Sequence, residues 1–349
     1  MLLVAITAIL ALAFLLTGRV TVDAAMRSVD FDLLLVLFAL LVTVEILRTS
    51  GWLDVVVEHA VARFRTTRGF VTALVAFSGA LAALVTNDVA LFVVIPFTVI
   101  ASRYSEFDVE LAVILEIVAT NLVGCLTPLG NPQNLFIFHR SGMSAMAFVG
   151  IMLPFVGWCA IGLMVGVRRL RRRFQSGSRA AALQTNNAAA IAGIVCFALV
   201  LLEIARVINA WPAAIAALLA GIAFLRKRID LTIVPLFFFA FIVVEGLRSF
   251  DLPRPDVYFT SIALSQVISN VPAAVLLAPF TNGEWRDLLY GVSAGGCGTI
   301  IASLANLLGW RIYVRESNRD PRFFRRLTAI NFAFLGWAAV GGWLLLRLT

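Results

Sequence analysis

Seven uninterrupted apolar runs limit what this chain can become: residues 2–18, 31–50, 146–167, 188–208, 211–225, 231–249 and 327–346. A hydrocarbon core of roughly 30 Å is crossed by about 20 helical residues. Lipid offers the backbone no hydrogen-bond partners, so each run must satisfy its own amides as a helix. Of the 349 residues, 61% are hydrophobic and only 14% charged, with a mean hydropathy of +0.96. The expected fold class is an all-α polytopic membrane protein.

Four further stretches depart from the simple span. Residues 69–85 and 88–102 meet at "TND", and 256–268 and 271–280 meet at "SNVP". Their arms are short, so each pair predicts a re-entrant hairpin that turns at mid-membrane. Residues 108–138 and 286–310 are long enough to cross but carry polar residues in the middle, which predicts two discontinuous transmembrane helices. In "LVGCLTPLGNPQNLFIF", Pro128 and Pro132 each cost ~3 kcal/mol in a regular helix, and Gly130 relaxes the chain between them.

The net charge of +8 reflects basic clusters between apolar runs, not a face for nucleic acid. With the N-terminus in the cytoplasm, hairpins returning and broken helices crossing, the inside loops collect Arg48, Arg63, Arg65, Arg68, Arg103, the run Arg168 to Arg179, "RKR" at 226–228 and six arginines from Arg311 to Arg326. That is 20 of the 28 basic residues, as the positive-inside rule requires. The C-terminus then lies outside the cytoplasmic membrane after nine crossings. The chain is apolar from its second residue, which reads as a retained first span. Cys125, Cys159, Cys196 and Cys297 lie singly in apolar segments and imply neither a disulfide framework nor a metal knuckle.

The halves resemble each other. "VEILRTSG" at 44–51 matches "VEGLRSFD" at 244–251, "TNDVALFVVIPF" from Thr86 matches "SNVPAAVLLAPF" from Ser269, and "GCLTPLGNPQNL" from Gly124 matches "GCGTIIASLANL" from Gly296. Order is kept, and an odd number of crossings turns the second copy upside down, which gives inverted repeats. The expected organisation is a first helix and loop at 1–30, repeat 1 at 31–173 with its tip near 86–88 and unwound segment 127–134, a linker with two connecting helices at 174–228, and repeat 2 at 229–349 with its tip near 269–272 and unwound segment 298–306. The segment 51–67, present only in the first half, reads as an amphipathic interfacial helix carrying Asp54, Glu58, His59 and Arg63.

Non-helical chain at membrane depth persists where protein or a wet cavity covers it. Four breaks entering from opposite sides converge on one site in this scheme. Its side chains are Thr86, Asn87 and Asp88; Thr127, Asn131, Gln133 and Asn134 with Gly130; Ser269 and Asn270; and Thr299, Ser303 and Asn306 with Gly298. Amides and hydroxyls both donate and accept. Restarting half-helices offer free N–H groups to an anion, and stopping ones offer carbonyls to a cation. No Lys or Arg lies at a break, so a bound anion needs a co-bound cation: Na⁺ near Asn87, Asp88, Asn131 and Asn270, or H⁺. No other cofactor is implied.

"TNDVALFVVIPF", "GCLTPLGNPQNLFIF", "ISNVPAAVLLAPF" and "GTIIASLANL" resemble the ion transporter superfamily of permeases that contains arsenite permeases, NhaD-type antiporters, citrate transporters and dicarboxylate/sodium symporters. The resemblance covers roughly 31–346. It implies an inverted-repeat fold with two hairpins and two unwound helices, elevator-type motion and a homodimer held by a scaffold domain. In the dicarboxylate branch the tips and unwound segments carry Ser-Asn-Thr motifs. This chain has Val271 after Ser269 and Asn270, Thr86-Asn87-Asp88 at the first tip, and "GNPQN" and "ASLAN" at the unwound segments, which departs from dicarboxylate specificity.

Asp88 is either the coupling residue or a helix cap. Glu116, deep in a crossing helix, is either a proton carrier or a packed carboxyl. Glu45 with Arg48, Glu203 with Arg206 and Glu245 with Arg248 have the spacing of local ion pairs. Cys125 and Cys297 read as small packing residues. "RRLRRR" at 168–173 reads as a cytoplasmic anchor, and "QSGSRAAALQTNNA" after it as a linker. The leading expectation is a secondary active transporter of a small anion or oxyanion coupled to Na⁺ or H⁺; the alternative is a monovalent cation/proton antiporter using Asp88 and Glu116. An intramembrane hydrolase would need a nucleophile and base at depth, and neither His59 nor His139 is placed for that.

Overall fold

The computed structural model describes residues 2–29, 31–52, 55–56, 59, 62–84, 86–170, 185–204, 207–225, 229, 231, 233–247, 256–317 and 321–348. The described elements are helices, as the apolar runs require. They are α1 (Leu2–Leu16), α2 (Val22–Ser28), α3 (Phe31–Thr49), α4 (Thr67–Leu84), α5 (Asn87–Tyr104), α6 (Val109–Leu122), α7 (Pro132–Ser141), α8 (Ala145–Arg168), α9 (Asn187–Ile204), α10 (Ala210–Phe224), α11 (Ile233–Leu247), α12 (Val257–Ile268), α13 (Asn270–Leu277), α14 (Trp285–Gly295), α15 (Leu304–Ser317) and α16 (Pro321–Leu348). Among the described residues five segments are long and apolar enough to cross a membrane: Thr67–Leu84, Asn87–Tyr104, Val109–Leu126, Ala145–Arg168 and Arg322–Leu348. The chain is a multi-pass membrane protein.

The chain divides into two compact units, each discontinuous in sequence: Met1–Leu53 with Leu183–Pro253, and Asp54–Ala182 with Arg254–Thr349. In the first, α3 packs on α9 and α10, and α1 on α11. Asn186 N–H donates to Ser50 O at 2.8 Å and Trp52 Nε1 to Asn187 Oδ1 at 2.9 Å, which ties the start of α9 to the end of α3. In the second unit α6 is the central helix, with 83% of its membrane window buried against 28% for α16. That burial explains why its sequence is apolar on every side rather than striped.

Helix ends follow local chemistry. Asp108, Ser144 and Asp256 each accept the N–H three residues on, at 3.0, 3.2 and 2.9 Å, as N-caps do. Pro132 stands in the first turn of α7, where its missing N–H costs nothing, and Gly142 ends that helix in the left-handed region at φ 67°.

Three boundaries differ from the sequence expectation. The first pair of arms, α4 and α5, is 18 residues each, longer than the expected 69–85 and 88–102. Helix α16 starts at Pro321 rather than 327, because Arg326 is neutralised inside it. There its guanidinium meets Asp108 Oδ2 and Glu110 Oε2, each at 2.7 Å. Within 1–30 a further helix, α2, forms on the Thr21 cap, whose side chain accepts Ala24 N–H at 3.2 Å. Glu45 and Arg48 form the expected pair at 3.2 Å. The interfacial helix expected at 51–67 includes Asp54 and Glu58, which lie outside the described residues, as do Arg206, Arg248, "RKR" at 226–228 and most of the 168–187 anchor and linker.

Candidate transport site

Every residue expected at the breaks belongs to the second unit. The two broken helices keep their breaks: a short 3₁₀ turn, Gly124–Leu126, follows α6 before the chain restarts at α7, and residues 296–303 separate α14 from α15. Helix α4 packs on α6, and α12 on α14. The second arms cross over: α5 packs on α15, and α13 on α7. Each hairpin thus reaches the broken helix of the other half.

The same hydrogen bonds recur at both breaks. At the first, Asn87 N–H donates to Gly130 O at 2.8 Å, Gly130 N–H to Thr127 O at 3.3 Å, Thr127 Oγ1 to Ala83 O, and Asn134 Nδ2 to Thr127 O at 3.4 Å. At the second, Asn270 N–H donates to Ala302 O at 2.9 Å, Ala302 N–H to Thr299 O at 3.2 Å, Thr299 Oγ1 to Gln266 O at 2.9 Å, and Asn306 Nδ2 to Thr299 O at 3.0 Å. These are the pairings that the motif matches dictate: Asn87 with Asn270, Thr127 with Thr299, Gly130 with Ala302, Asn134 with Asn306. The unwound chain is held by fixed side-chain partners.

Two residues that stood out in no motif complete the arrangement. Asn121, near the end of α6, donates through Nδ2 to Asn306 Oδ1 at 2.9 Å and accepts at Oδ1 from Ser303 Oγ at 2.9 Å and from Asn87 Nδ2 at 3.4 Å. Its backbone carbonyl accepts from Asn131 Nδ2 at 3.4 Å. It joins both breaks and one tip. Gln266, on α12, fastens the second break through both ends of its carboxamide. The signal that could have found them is their position: uncharged polar residues inside apolar helices are rarely idle.

Burial is alike in the two halves, but hydrogen-bond satisfaction is not. Asn87, Asp88, Asn131, Gln133, Asn134, Asn270, Ser303 and Asn306 are all buried, whereas Thr86, Thr127, Ser269 and Thr299 are half-buried. Asn87 Oδ1, Asp88 Oδ1, Asn131 Oδ1 and Asn134 Oδ1 have no hydrogen-bond donor. All four belong to the first tip and first break. Asp88 is not the cap of α5; Thr86 is, accepting Val89 N–H at 3.4 Å. Glu116 stands apart from the breaks: it is fully buried, Oε1 accepts from Thr98 Oγ1 on α5, and Oε2 has no partner. Helices α7 and α13, which pack on each other, both begin without a side-chain cap; Pro132 and Pro272 carry no N–H, and Asn134 N–H and Asn270 N–H donate to Asn131 O and Ala302 O, which leaves Gln133 and Val271 as first-turn N–H groups without an intrahelical acceptor.

Backbone geometry is demanding at both breaks. A Cβ on Gly130 would stand 1.8 Å from Gly124 O, so only glycine lets the loop close. Ser269, at φ 76° and ψ 154°, holds a conformation that glycine ordinarily occupies, at a cost of order 1–3 kcal/mol.

A protein-family model described as "Citrate transporter" matches residues 1–284. The chain belongs to the citrate transporter family. It is a membrane transporter and not an enzyme. The "Inner membrane protein YbiR" of Escherichia coli is 31% identical over 338 residues, covering 91% of this chain and 88% of that protein. The "Uncharacterized transporter MJ0456" of Methanocaldococcus jannaschii is 34% identical over 312 residues, covering 86% and 84%. The human "P protein" is 26% identical over 160 residues, 42% of this chain and 19% of its own length. Membership in the ion transporter superfamily, expected from four motifs, thus holds over nearly the whole chain.

Proposed function

We propose that this transporter carries a small anion or oxyanion across the cytoplasmic membrane, coupled to Na⁺ or H⁺, by elevator-type alternating access. The observation that carries the reading is a buried polar centre, with no Lys or Arg at its breaks, in which acceptor oxygens receive no hydrogen bond. Four such oxygens, on Asn87, Asp88, Asn131 and Asn134, have the chemistry of cation ligands. The uncapped starts of α7 and α13 offer the N–H groups of Gln133 and Val271 to an anion. Hard cations take oxygen ligands, and an anion in a site of low dielectric needs a counter-charge.

Several finer points follow as proposals. The recurring bonds support two repeats related by inversion, each with a re-entrant hairpin and a discontinuous helix. All site residues lie in one unit, which supports that unit as the carrier and the other as the scaffold of a homodimer. An inner-membrane location agrees with the name of the E. coli relative and with the basic loops, with the N-terminus cytoplasmic and the C-terminus outside. The family description makes citrate and smaller carboxylates the first anions to test.

A second reading, the monovalent cation/proton antiporter, is favoured by the buried Glu116 with its unpartnered oxygen on the helix beside Asp88's own. Proteoliposome fluxes separate the two. An inward Na⁺ or H⁺ gradient should accumulate labelled anion, and Asp88→Asn should slow that uptake at least about tenfold, the equivalent of one lost charge-assisted contact. Na⁺-driven proton movement without any anion, abolished by Glu116→Gln, would replace the first reading with the second.

A further inference from the structure

The two breaks share a hydrogen-bond scheme but not a set of open ligands. At the second break Gln266 Nε2 donates to Gly295 O and Cys297 O, each at 3.0 Å, and to Ile262 O at 3.2 Å. Its Oε1 accepts Thr299 N–H at 2.9 Å. A partly positive NH₂ group therefore sits among three carbonyl oxygens, the surroundings in which a bare monovalent cation is coordinated. Among the described residues, the buried oxygens without a donor include four at the first tip and first break and none at the second tip or second break.

The difference traces to two exchanged positions. Thr127 Oγ1 donates to Ala83 O and Thr299 Oγ1 to Gln266 O, so Ala83 and Gln266 correspond, four residues before Asn87 and Asn270. The partner of Gly298 in the motif match is Leu126. The first half thus pairs a small residue with a large one, Ala83 with Leu126, and the second pairs a large with none, Gln266 with Gly298. Gly298 must lack a side chain: its φ is 109°, and a Cβ there would stand 2.1 Å from Gln266 Oε1. The carboxamide and the glycine are fitted to each other.

We propose that Gln266 is a built-in occupant of the second break, a positioning residue whose amide takes the place of a cation, so that the coupling cation loads at the first break alone. This rests on the cation site proposed above at Asn87, Asp88, Asn131 and Asn134. It makes the pseudo-symmetric centre functionally one-sided, with one exchangeable cation per chain and one fixed in the covalent structure. Gln266 then sets the stoichiometry of coupling without touching the transported ion.

Equilibrium binding of radiolabelled Na⁺ to the purified full-length protein tests this. The wild type should bind one Na⁺ per chain. Gln266→Ala, which leaves the carbonyls of Gly295 and Cys297 unanswered, should bind two. Gln266→Glu keeps the shape but turns the donor into an acceptor, so at alkaline pH it should also bind two and show a larger Na⁺-dependent rise in Tm than the wild type. It stands in if Gln266→Ala does not fold. Asp88→Asn should remove the wild-type ion and leave the one added by Gln266→Glu. Two ions in the wild type, or a Gln266→Glu protein with the wild-type count and the wild-type Tm response, overturns the proposal. No ion in the wild type but one in Gln266→Glu removes the cation site at the first break and leaves the role of Gln266 standing; none in either removes both.

Discussion

Asn121 is the residue on which both breaks converge, with its side-chain oxygen shared by Ser303 and Asn87 and its amide given to Asn306. Removing one partner of a buried hydrogen bond strands the others, at about 1–3 kcal/mol each. Asn121→Ala should therefore lower Tm and disorder both breaks together, read as faster amide hydrogen exchange at both 127–131 and 299–303. Faster exchange at only one would show that Asn121 belongs to that break alone. Neither Asn121 nor Gln266 was legible in the sequence, for a physical reason. The breaks announce themselves through proline, glycine and clustered amides that no helix tolerates, whereas Asn121 in "VATNL" and Gln266 in "LSQVI" sit within intact helix and disturb nothing. Asp88 was legible as a candidate, and the reading of it as a helix cap fails only on seeing that Thr86 caps α5.

At the scale of the elements, one device anchors the first broken helix and a second braces two helices packed on it. Helix α6 enters the membrane at a charge cluster, where Arg326 binds Asp108 through both guanidinium nitrogens, at 3.0 and 2.7 Å, and Arg322 lies 3.7 Å from Glu110. Partial burial pushes the Asp108 carboxyl up, but the Arg326 hydrogen bonds, the Leu111 N–H and the charges of Arg326 and Arg322 outweigh it and hold the group below the usual carboxylate range. A lowered folded-state value means that the stabilisation is complete above the unfolded value of about 4 and fades as pH falls through the folded one. Asp108→Asn should lower Tm near neutrality, and the gap to wild type should close in strong acid. The second device braces the helices that close each half. Trp158 Nε1 donates to Trp337 O at 2.9 Å and Trp337 Nε1 returns the bond to Trp158 O at 3.0 Å, with the rings stacked at 4.6 Å. Gly162 and Gly341, each one turn further on, leave room for the opposite indole. At the first break, Gly130→Ala drives a methyl into Gly124 O; it should abolish accumulation of folded protein in the membrane, measured by size-exclusion chromatography in detergent, and wild-type yield would show that the loop can close otherwise. Helix positions were readable to within a few residues because each apolar run must bury or face lipid along its length. The early start of α16 was not, since Arg322, Arg325 and Arg326 look like loop residues until Asp108 and Glu110 are seen beside them.

For the whole molecule, the compact units do not follow the order of the chain, because each gathers segments from both halves. A linear reading finds the repeats, whose motifs are local, but cannot find units assembled from segments far apart in the chain. What was legible was where the chain breaks: among the residues named from four short motifs, Asn87 and Asn270, Thr127 and Thr299, and Asn134 and Asn306 make corresponding hydrogen bonds at the two breaks. The central claim is that this centre binds an anion and a cation together, so that each strengthens the other. Linkage makes the claim measurable, because the factor by which Na⁺ tightens anion binding must equal the factor by which the anion tightens Na⁺ binding. Isothermal titration of the purified transporter with a carboxylate such as citrate, at several Na⁺ or H⁺ concentrations and again in Asp88→Asn, tests it most directly. The account predicts reciprocal coupling of at least about fivefold, at the lower edge of ordinary coupling energies, and its loss in Asp88→Asn. Anion binding that ignores both cations, or coupling that survives Asp88→Asn unchanged, would contradict it.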